Sequence, residues 1–466
     1  MKRLFFALIA LIMTMTILVS CGGPKPDSTT TDTKKGMSPT EEYNYLLSPE
    51  GIEANLNSYM GAEGMIGESS VQDSITKMGY SNPEIHGFSD GNLIKVEAVY
   101  PALPEKLAYS KLLSDIPVPA RTFDGYLKPE DIIGFVVLPG LQNMFDTASS
   151  YIDLDNEAKP ATEDGSQGML EKNYNPLKQA SGLAMMAGIN VQEDLFSWMG
   201  TEMGLLFYIA TDAQNAQYMN SAFAISTSNK ATATEKMHKV LGLLPRFIGI
   251  ADISTILETT ENNGFIVDLI NLEPLNSAGM GDLSQGMFGD IKKIGILYTD
   301  DWVFFSDDYG INQLSSKLIK ATAKPAEGHF NLRISTNDFA KNSQKYQKEF
   351  MDQMQSDMSI DPEIQKIIQQ KIDELQKKLD SGDFGTSAVT VKFNPDSINI
   401  TLNTTKPTIE FMNSVHDTII EIQKLEDSKM GQPMTDEPMV EGSEGVDPGM
   451  EETPAGEPET EGEVNT

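Results

Sequence analysis

Lys292–Leu318 reads KKIGILYTDDWVFFSDDYGINQLSSKL, and the fold turns on this stretch. Lys293–Thr299 is a short apolar run, Asp300-Asp301 is a turn pair, and Trp302–Ser306 is a second apolar run. Helical spacing follows over 311–321. The same order of strand, turn, strand and helix recurs on both sides. Upstream it is Gly204–Ala210, Ser221–Thr227 and a helix over 231–244. Downstream it is Ser387–Phe393, the turn Asn394-Pro395-Asp396, Ser397–Asn403 and a helix over 408–425. Another strand, Phe265–Leu272, lies between the first two units. Helices that follow hairpins predict an α+β fold of antiparallel sheets with helices packed on one face. No strict sequence period accompanies the recurrence, so a solenoid is not expected.

Further out, Phe330–Ser335 reads as a strand and 337–380 as a helical hairpin. Phe339, Tyr346, Phe350, Met354 and Met358 stripe its first arm. Asp361-Pro362 opens the second arm as N-cap and first helical residue. Ile364, Ile368, Ile372, Leu375 and Leu379 stripe that arm, and Gly382 ends it. The stripes pack on each other and on the sheet, or the hairpin is an arm that docks a partner. Upstream, Asp131–Leu138 is a strand stopped by Pro139, Leu141–Tyr151 a helix, and Asp153–Gly168 an acidic loop. A helix is expected over 176–187. A short one ends near Trp198, Gly200 breaks the chain, and a strand begins at 203. Trp198 reads as a core plug between helix and sheet. Pro101–Pro129 reads as irregular, Ile85–Tyr100 as strand, turn and strand, and helices are expected over 41–60 and 69–79. These elements group as 41–128, 129–325 with its α+β core, and 326–425 with the helical hairpin.

The remaining segments are compositional. The chain has 466 residues, a net charge of −33 and one cysteine. Such charge disfavours nucleic acid and anionic head groups. A single cysteine allows no internal disulfide and no cysteine-based metal site. Residues 426–466 hold 13 acidic side chains against Lys429, net about −12, with Pro, Gly and no periodicity, so a disordered acidic tail is expected. Residues 21–40 are Gly, Pro, Ser, Thr and Lys, which reads as a flexible tether. Residues 1–20 read as a signal peptide: Lys2 and Arg3 precede the apolar run Leu4–Val19. At about 1.5 Å per residue that run spans roughly 24 Å, short of a ~30 Å hydrocarbon core.

The run ends in Leu18-Val19-Ser20-Cys21, which resembles the lipobox of bacterial lipoproteins. The resemblance implies cleavage between Ser20 and Cys21, diacylglycerol on the Cys21 thiol, and a palmitate-type acyl group on the new amine. It implies a membrane anchor in the cell envelope, and Gly22 in place of Asp favours the outer membrane if the cell is Gram-negative. The lone cysteine stands where lipidation needs it.

Glu193, Asp194, Leu195, Trp198, Gly200, Glu202 and Met203 resemble a signature of the domain of unknown function 3352 family. Asn263–Val267, Ile294–Tyr298 and Val303–Ser306 are similar to that family's later strands. The resemblance spans about 130–321 and departs at the Trp302 hairpin, which lacks the small-residue turn. It implies a fold and an envelope location, and no chemistry.

Catalytic signatures are sparse. Gly87-Phe88-Ser89-Asp90-Gly91 matches G-x-S-x-G, yet a β-like run follows where a nucleophile elbow needs a helix. It reads as a hairpin turn. Asp153, Asp155 and Glu157 lack the Gly and Glu spacing of a calcium loop. Gly279-Met280-Gly281 lacks the third glycine of a dinucleotide motif. Met430, Met434, Met439 and Met450 are too widely spaced for a copper site without histidine. His86, His238, His329 and His416 are far apart, and Asp300-Asp301 and Asp307-Asp308 fall at turns, where Asp is favoured anyway. The expectation is therefore a non-enzymatic envelope lipoprotein without cofactor or metal, held to the membrane by its lipid and binding or scaffolding an envelope protein or lipid. Two alternatives stay open. One is a carrier of an apolar ligand in a cavity between sheet and helices, for which 25 methionines supply an adaptable lining. The other is a hydrolase with an unrecognised site.

Overall fold

The computed structural model describes residues 75–76, 78–158, 175–186, 188–211, 217–243, 252–273, 292–319, 324–342, 362–411 and four positions between 413 and 421. The signal peptide, Ser20, Cys21, the tether, the helix expected over 41–60, most of the hairpin's first arm and the acidic tail lie outside these residues.

Among the described residues, twelve strands form one antiparallel sheet. In chain order they are β1 (Glu84–Asp90), β2 (Leu93–Pro101), β3 (Ile132–Pro139), β4 (Met199–Thr211), β5 (Gln217–Thr227), β6 (Leu257–Asn262), β7 (Phe265–Asn271), β8 (Lys293–Tyr298), β9 (Trp302–Asp307), β10 (Phe330–Ser335), β11 (Thr386–Asn394) and β12 (Ser397–Thr405). Their spatial order is β1-β2-β12-β11-β10-β3-β4-β5-β9-β8-β7-β6. Among the described residues the named helices are α1 (Leu107–Ser114), α2 (Leu141–Ala158), α3 (Pro176–Met186), α4 (Lys230–Leu241), α5 (Asp308–Lys317), α6 (Thr336–Asn342) and α7 (Pro362–Ser381), with a π-helical turn at Val191–Phe196. The α+β class and the first two strand–strand–helix units are as the sequence reads; the third has its two strands and a helical start at 406–411, while most of the helix expected over 408–425 lies outside the described residues. The segments 41–128, 129–325 and 326–425 share this one sheet: β2 pairs with β12, and β10 with β3.

Alternation sets which face each strand buries. Val96, Ala98, Ile400, Leu402, Val389 and Leu332 point to one face, where Leu113 of α1 and Phe339 of α6 join them. On that same face Ile225, Val303 and Ile296 meet Ala233 and Leu241 of α4. The opposite face buries Leu206, Tyr208, Ala224, Phe304 and Leu297 under Ile311 and Leu314 of α5 and under Phe123, Tyr126 and Leu127. The expectation of helices on one face is thus corrected across β4–β9, where each face carries a helix. The reason is local: β8 (KIGILY) and the start of β9 (WVFF) are apolar on both faces and need cover on both sides. Strands β11 and β12 alternate, and their Thr390, Lys392, Asn399, Thr401 and Asn403 leave the second face polar and partly open.

Several local expectations shift. Pro101–Pro129 contains α1, entered from Pro104 through a 3-10 turn. Helix α2 runs to Ala158, into the expected acidic loop. Strand β4 starts at Met199, before a register shift between Met199 and Met203. Strand β6 was not expected, because LETTEN is polar and sits exposed at the sheet edge. It pairs with β7 through Asn263-Gly264, at φ 53° and 81°, the residue pair a type I′ turn demands. Helix α7 packs against the helical segment after β12 through Lys371–Glu421 at 2.7 Å and Lys378–Ser414 at 3.0 Å.

Candidate functional site

The stretch Gly188–Phe207 holds several of the sequence's singled-out residues, and the structure gives them mechanical partners. Asn190 caps the π-helical turn: its side-chain oxygen accepts from the backbone of Gln192 and Glu193 at 3.1 and 3.2 Å. Asp194 answers by accepting from the Asn190 amide at 3.0 Å, a reciprocal cap. Asp194 is 2% exposed. Two residues of α4, Lys239 at 2.6 Å and Lys236 at 3.5 Å, neutralise it. The Lys239 bond holds the Asp194 carboxyl below the usual carboxylate range, against the effect of burial.

Trp198 is 1% exposed and lies among Ala233, Leu241, Tyr298 and Val303, between α4 and the sheet. It is the core plug its sequence context suggested. Its carbonyl accepts from Thr227 Oγ1 at 2.8 Å. At Gly200 a Cβ would stand 2.3 Å from Ser226 Oγ, so only glycine lets β4 pass β5 there. Ser226 Oγ accepts from the Glu202 amide at 3.0 Å. The fully buried Glu202 carboxylate accepts from the Ala120 amide at 2.9 Å and lies 3.6 Å from Arg121 Nε. Arg121 reaches on to Asp301 at 2.9 Å, and the Tyr126 hydroxyl donates to the same carboxylate at 3.1 Å. Asp301, half of a turn pair in the sequence, thus fastens the segment that crosses the sheet at 116–127.

A third buried carboxylate has the composition of an acid–base site. Asp268 on β7 is fully buried. It accepts from the Tyr298 hydroxyl at 2.7 Å and Thr259 Oγ1 at 2.6 Å, and lies 2.7 Å from His238 Nε2. Burial, then the Asp268 charge, pushes the Tyr298 phenol far up, so it stays protonated and a donor. His238 is half-exposed in the last turn of α4 and packs edge-on against the Tyr298 ring. An imidazole oriented by a buried carboxylate can serve as a base when a nucleophile faces its other nitrogen. Among the described residues no hydroxyl or thiol bonds that nitrogen. Helix α4 instead spans two buried carboxylates, Asp194 through its lysines and Asp268 through His238.

The other singled-out residues stay apart. Ser89 sits on β1 opposite Ile94, beside a two-residue turn with Gly91 at φ 60°, and no helix follows. His86 is exposed on β1, His329 is buried between β11 and the crossing segment, and His416 lies outside the described residues. Asp153 belongs to α2 and is paired with Lys178 at 2.7 Å. Among the described residues no group of three or more His, Cys, Asp or Glu is placed to hold a metal ion, and no helix is long and apolar enough to cross a membrane. Arg121, Asp268 and Tyr298 were not singled out. Asp268 alone carried a signal: a carboxylate inside the apolar run FIVDLI.

No protein-family model, no curated protein and no solved structure matches this chain.

Proposed function

We propose that this protein is a lipid-anchored component of a bacterial cell envelope whose body binds or scaffolds another envelope component without catalysing a reaction. Cys21 carries the reading. It is the one cysteine of the chain and follows Leu18-Val19-Ser20 at the end of an apolar run too short to span a bilayer. A diacylglyceryl thioether plus an acylated amine supplies the two or more chains that stable anchoring needs. Residues 21–40 then tether the α+β body to that membrane, the outer one if the cell is Gram-negative. The likeness of Gly188–Phe207 to the domain of unknown function 3352 family belongs to the same proposal. The three buried carboxylates support a binding role, because a partner from another element ties each of them, Lys239 to Asp194, the Ala120 amide to Glu202 and Tyr298 to Asp268, so that each serves as a joint.

Cell fractionation of Cys21→Ser tests the anchor. The expected result is loss of the lipid mass on the N-terminal peptide and release from, or uncleaved retention in, the membrane fraction. A variant still cleaved between residues 20 and 21 and still membrane-bound sinks the reading. Affinity capture of the tethered protein from envelopes, read by mass spectrometry for proteins and lipids, tests the role.

One observation favours a second reading, the apolar-ligand carrier. Phe223 stands in the middle of the sheet and is 41% exposed. It packs on Phe305 at 6.1 Å between ring centres, on the face where Phe207 meets Phe339 of α6 at 6.5 Å. Saturable binding of a fluorescent fatty acid that Phe223→Ser abolishes would support the carrier; absence of binding to the native chain rejects it.

A further inference from the structure

His329 is 3% exposed, and both of its ring nitrogens are committed to backbone groups. Nε2 lies 2.9 Å from the carbonyl oxygen of Ile116. The amide of Phe393 on β11 meets Nδ1 at 3.1 Å. These partners fix the protons. A carbonyl only accepts, so Nε2 carries hydrogen; a backbone N–H only donates, so Nδ1 is bare. The ring is therefore the neutral Nε2–H form, tilted against the Phe393 ring at 5.0 Å between ring centres.

The geometry joins two segments far apart in sequence. Ile116 begins the crossing segment, in which Pro117 and Pro119 lack N–H groups. That segment is held to the loop before β10 by two backbone bonds, Ala326 N to the Pro119 carbonyl at 3.2 Å and Thr122 N to the Lys324 carbonyl at 2.8 Å. His329 is the third tie, and the only one of the three that can take up a proton. A proton on Nδ1 would face the Phe393 N–H, turning a bond into a donor–donor contact and placing a charge in the core.

We propose that His329 is an acid-sensitive latch: neutral, it ties the start of the crossing segment to β11, and a second proton releases that tie. Burial holds its pKa below the ordinary imidazole value, with the Ile116 carbonyl pulling the other way and the Lys392 charge adding to burial. Asp115, the C-cap of α1, and Glu327 in the ring's own loop make no bond to it among the described residues. For a base with a lowered folded pKa the opened state binds more protons. Latch stability is then fully present above about pH 6.5 and declines as pH falls from there toward the folded value. The tie at Arg121 is independent of this ring, so the opening is local. The inference does not depend on the anchor or on any partner.

Hydrogen exchange on the mature chain between pH 7.5 and 5.5, corrected for intrinsic rates, tests it. Protection at Ala326 and Phe393 should fall by up to about tenfold per pH unit below pH 6.5. His329→Gln keeps a side-chain N–H and cannot titrate, and its protection should be flat with pH. A flat native profile, or an equal slope in the variant, overturns the latch. If the variant does not fold, imidazole nitrogen shifts of the native protein decide: the neutral Nε2–H form persisting well below pH 6.5 supports the latch, and ordinary titration near that pH or an Nδ1–H form overturns it.

Discussion

Alanine at position 200 would place a Cβ 2.3 Å from Ser226 Oγ, 3.1 Å from its Cβ and 3.2 Å from its carbonyl carbon. Only the first contact is far inside van der Waals range. The cheapest relief is rotation of the Ser226 hydroxyl, which abandons the Glu202 amide it now accepts from at 3.0 Å. Losing that bond in a buried site costs about 1–2 kcal/mol, and residual overpacking adds about 1. Lower unfolded-chain entropy returns about 0.5 kcal/mol. Gly200→Ala should therefore destabilise by about 2 kcal/mol. Ser226→Ala loses the same hydrogen bond and should cost about 1–2 kcal/mol by itself. The double variant has already lost the clashing oxygen, so it should be about as stable as Ser226→Ala alone, a favourable coupling of at least 1 kcal/mol. Urea unfolding of the mature chain reads this directly. Trp198 and Trp302, the two tryptophans of the chain, are both buried and report by fluorescence. Additive single costs, or a Gly200→Ala chain as stable as the native one, would refute the claim that this glycine exists for close strand passage.

Trp198→Ala should cost about 3–5 kcal/mol by emptying the space between α4 and β8–β9, measured by the shift of the urea midpoint. Asp268→Ala strips the shared acceptor from Tyr298, Thr259 and His238 and should cost at least about 3 kcal/mol, whereas Tyr298→Phe removes one bond and should cost about 1–2 kcal/mol; equal costs would mean that the network is not centred on the carboxylate. Asp194 has a lowered pKa, so its contribution is present above its ordinary value of 3.8 and is lost as pH falls through the lowered one. Native protein should accordingly lose more stability below pH 4 than Asp194→Asn does, and parallel acid-unfolding curves would contradict the pairing with Lys236 and Lys239.

Periodicity carried much of this fold. The runs Phe330–Ser335, Ile85–Tyr100 and Lys293–Ser306 became strands close to their expected bounds because alternation and turn residues agreed there. Strand β6 escaped because its residues are polar, and its place is set by the Asn263-Gly264 turn and by β7. The cover on both faces of β8 and β9 was latent in their unbroken apolar runs, whereas the pairing of β10 with β3 depends on contacts no local pattern encodes. Among the polar clusters, Trp198 and Gly200 stood out by residue type. Arg121 did not, since a lone arginine in a proline-rich stretch gives no hint that Glu202 and Asp301 converge on it.

The pairing of β2 with β12 sets an order of events during synthesis. Residues Leu93–Pro101 find their second neighbour only in Ser397–Thr405, roughly 300 residues later in the chain. At about 5–20 residues per second the wait is roughly 15–60 s. Throughout it, the β1–β2 hairpin offers an unpaired backbone edge beside Ile94, Val96, Ala98 and Tyr100, side chains that end in the core. That edge is therefore an aggregation liability of the newborn chain, and shielding the β1–β2 hairpin until β12 emerges should raise the yield of native protein.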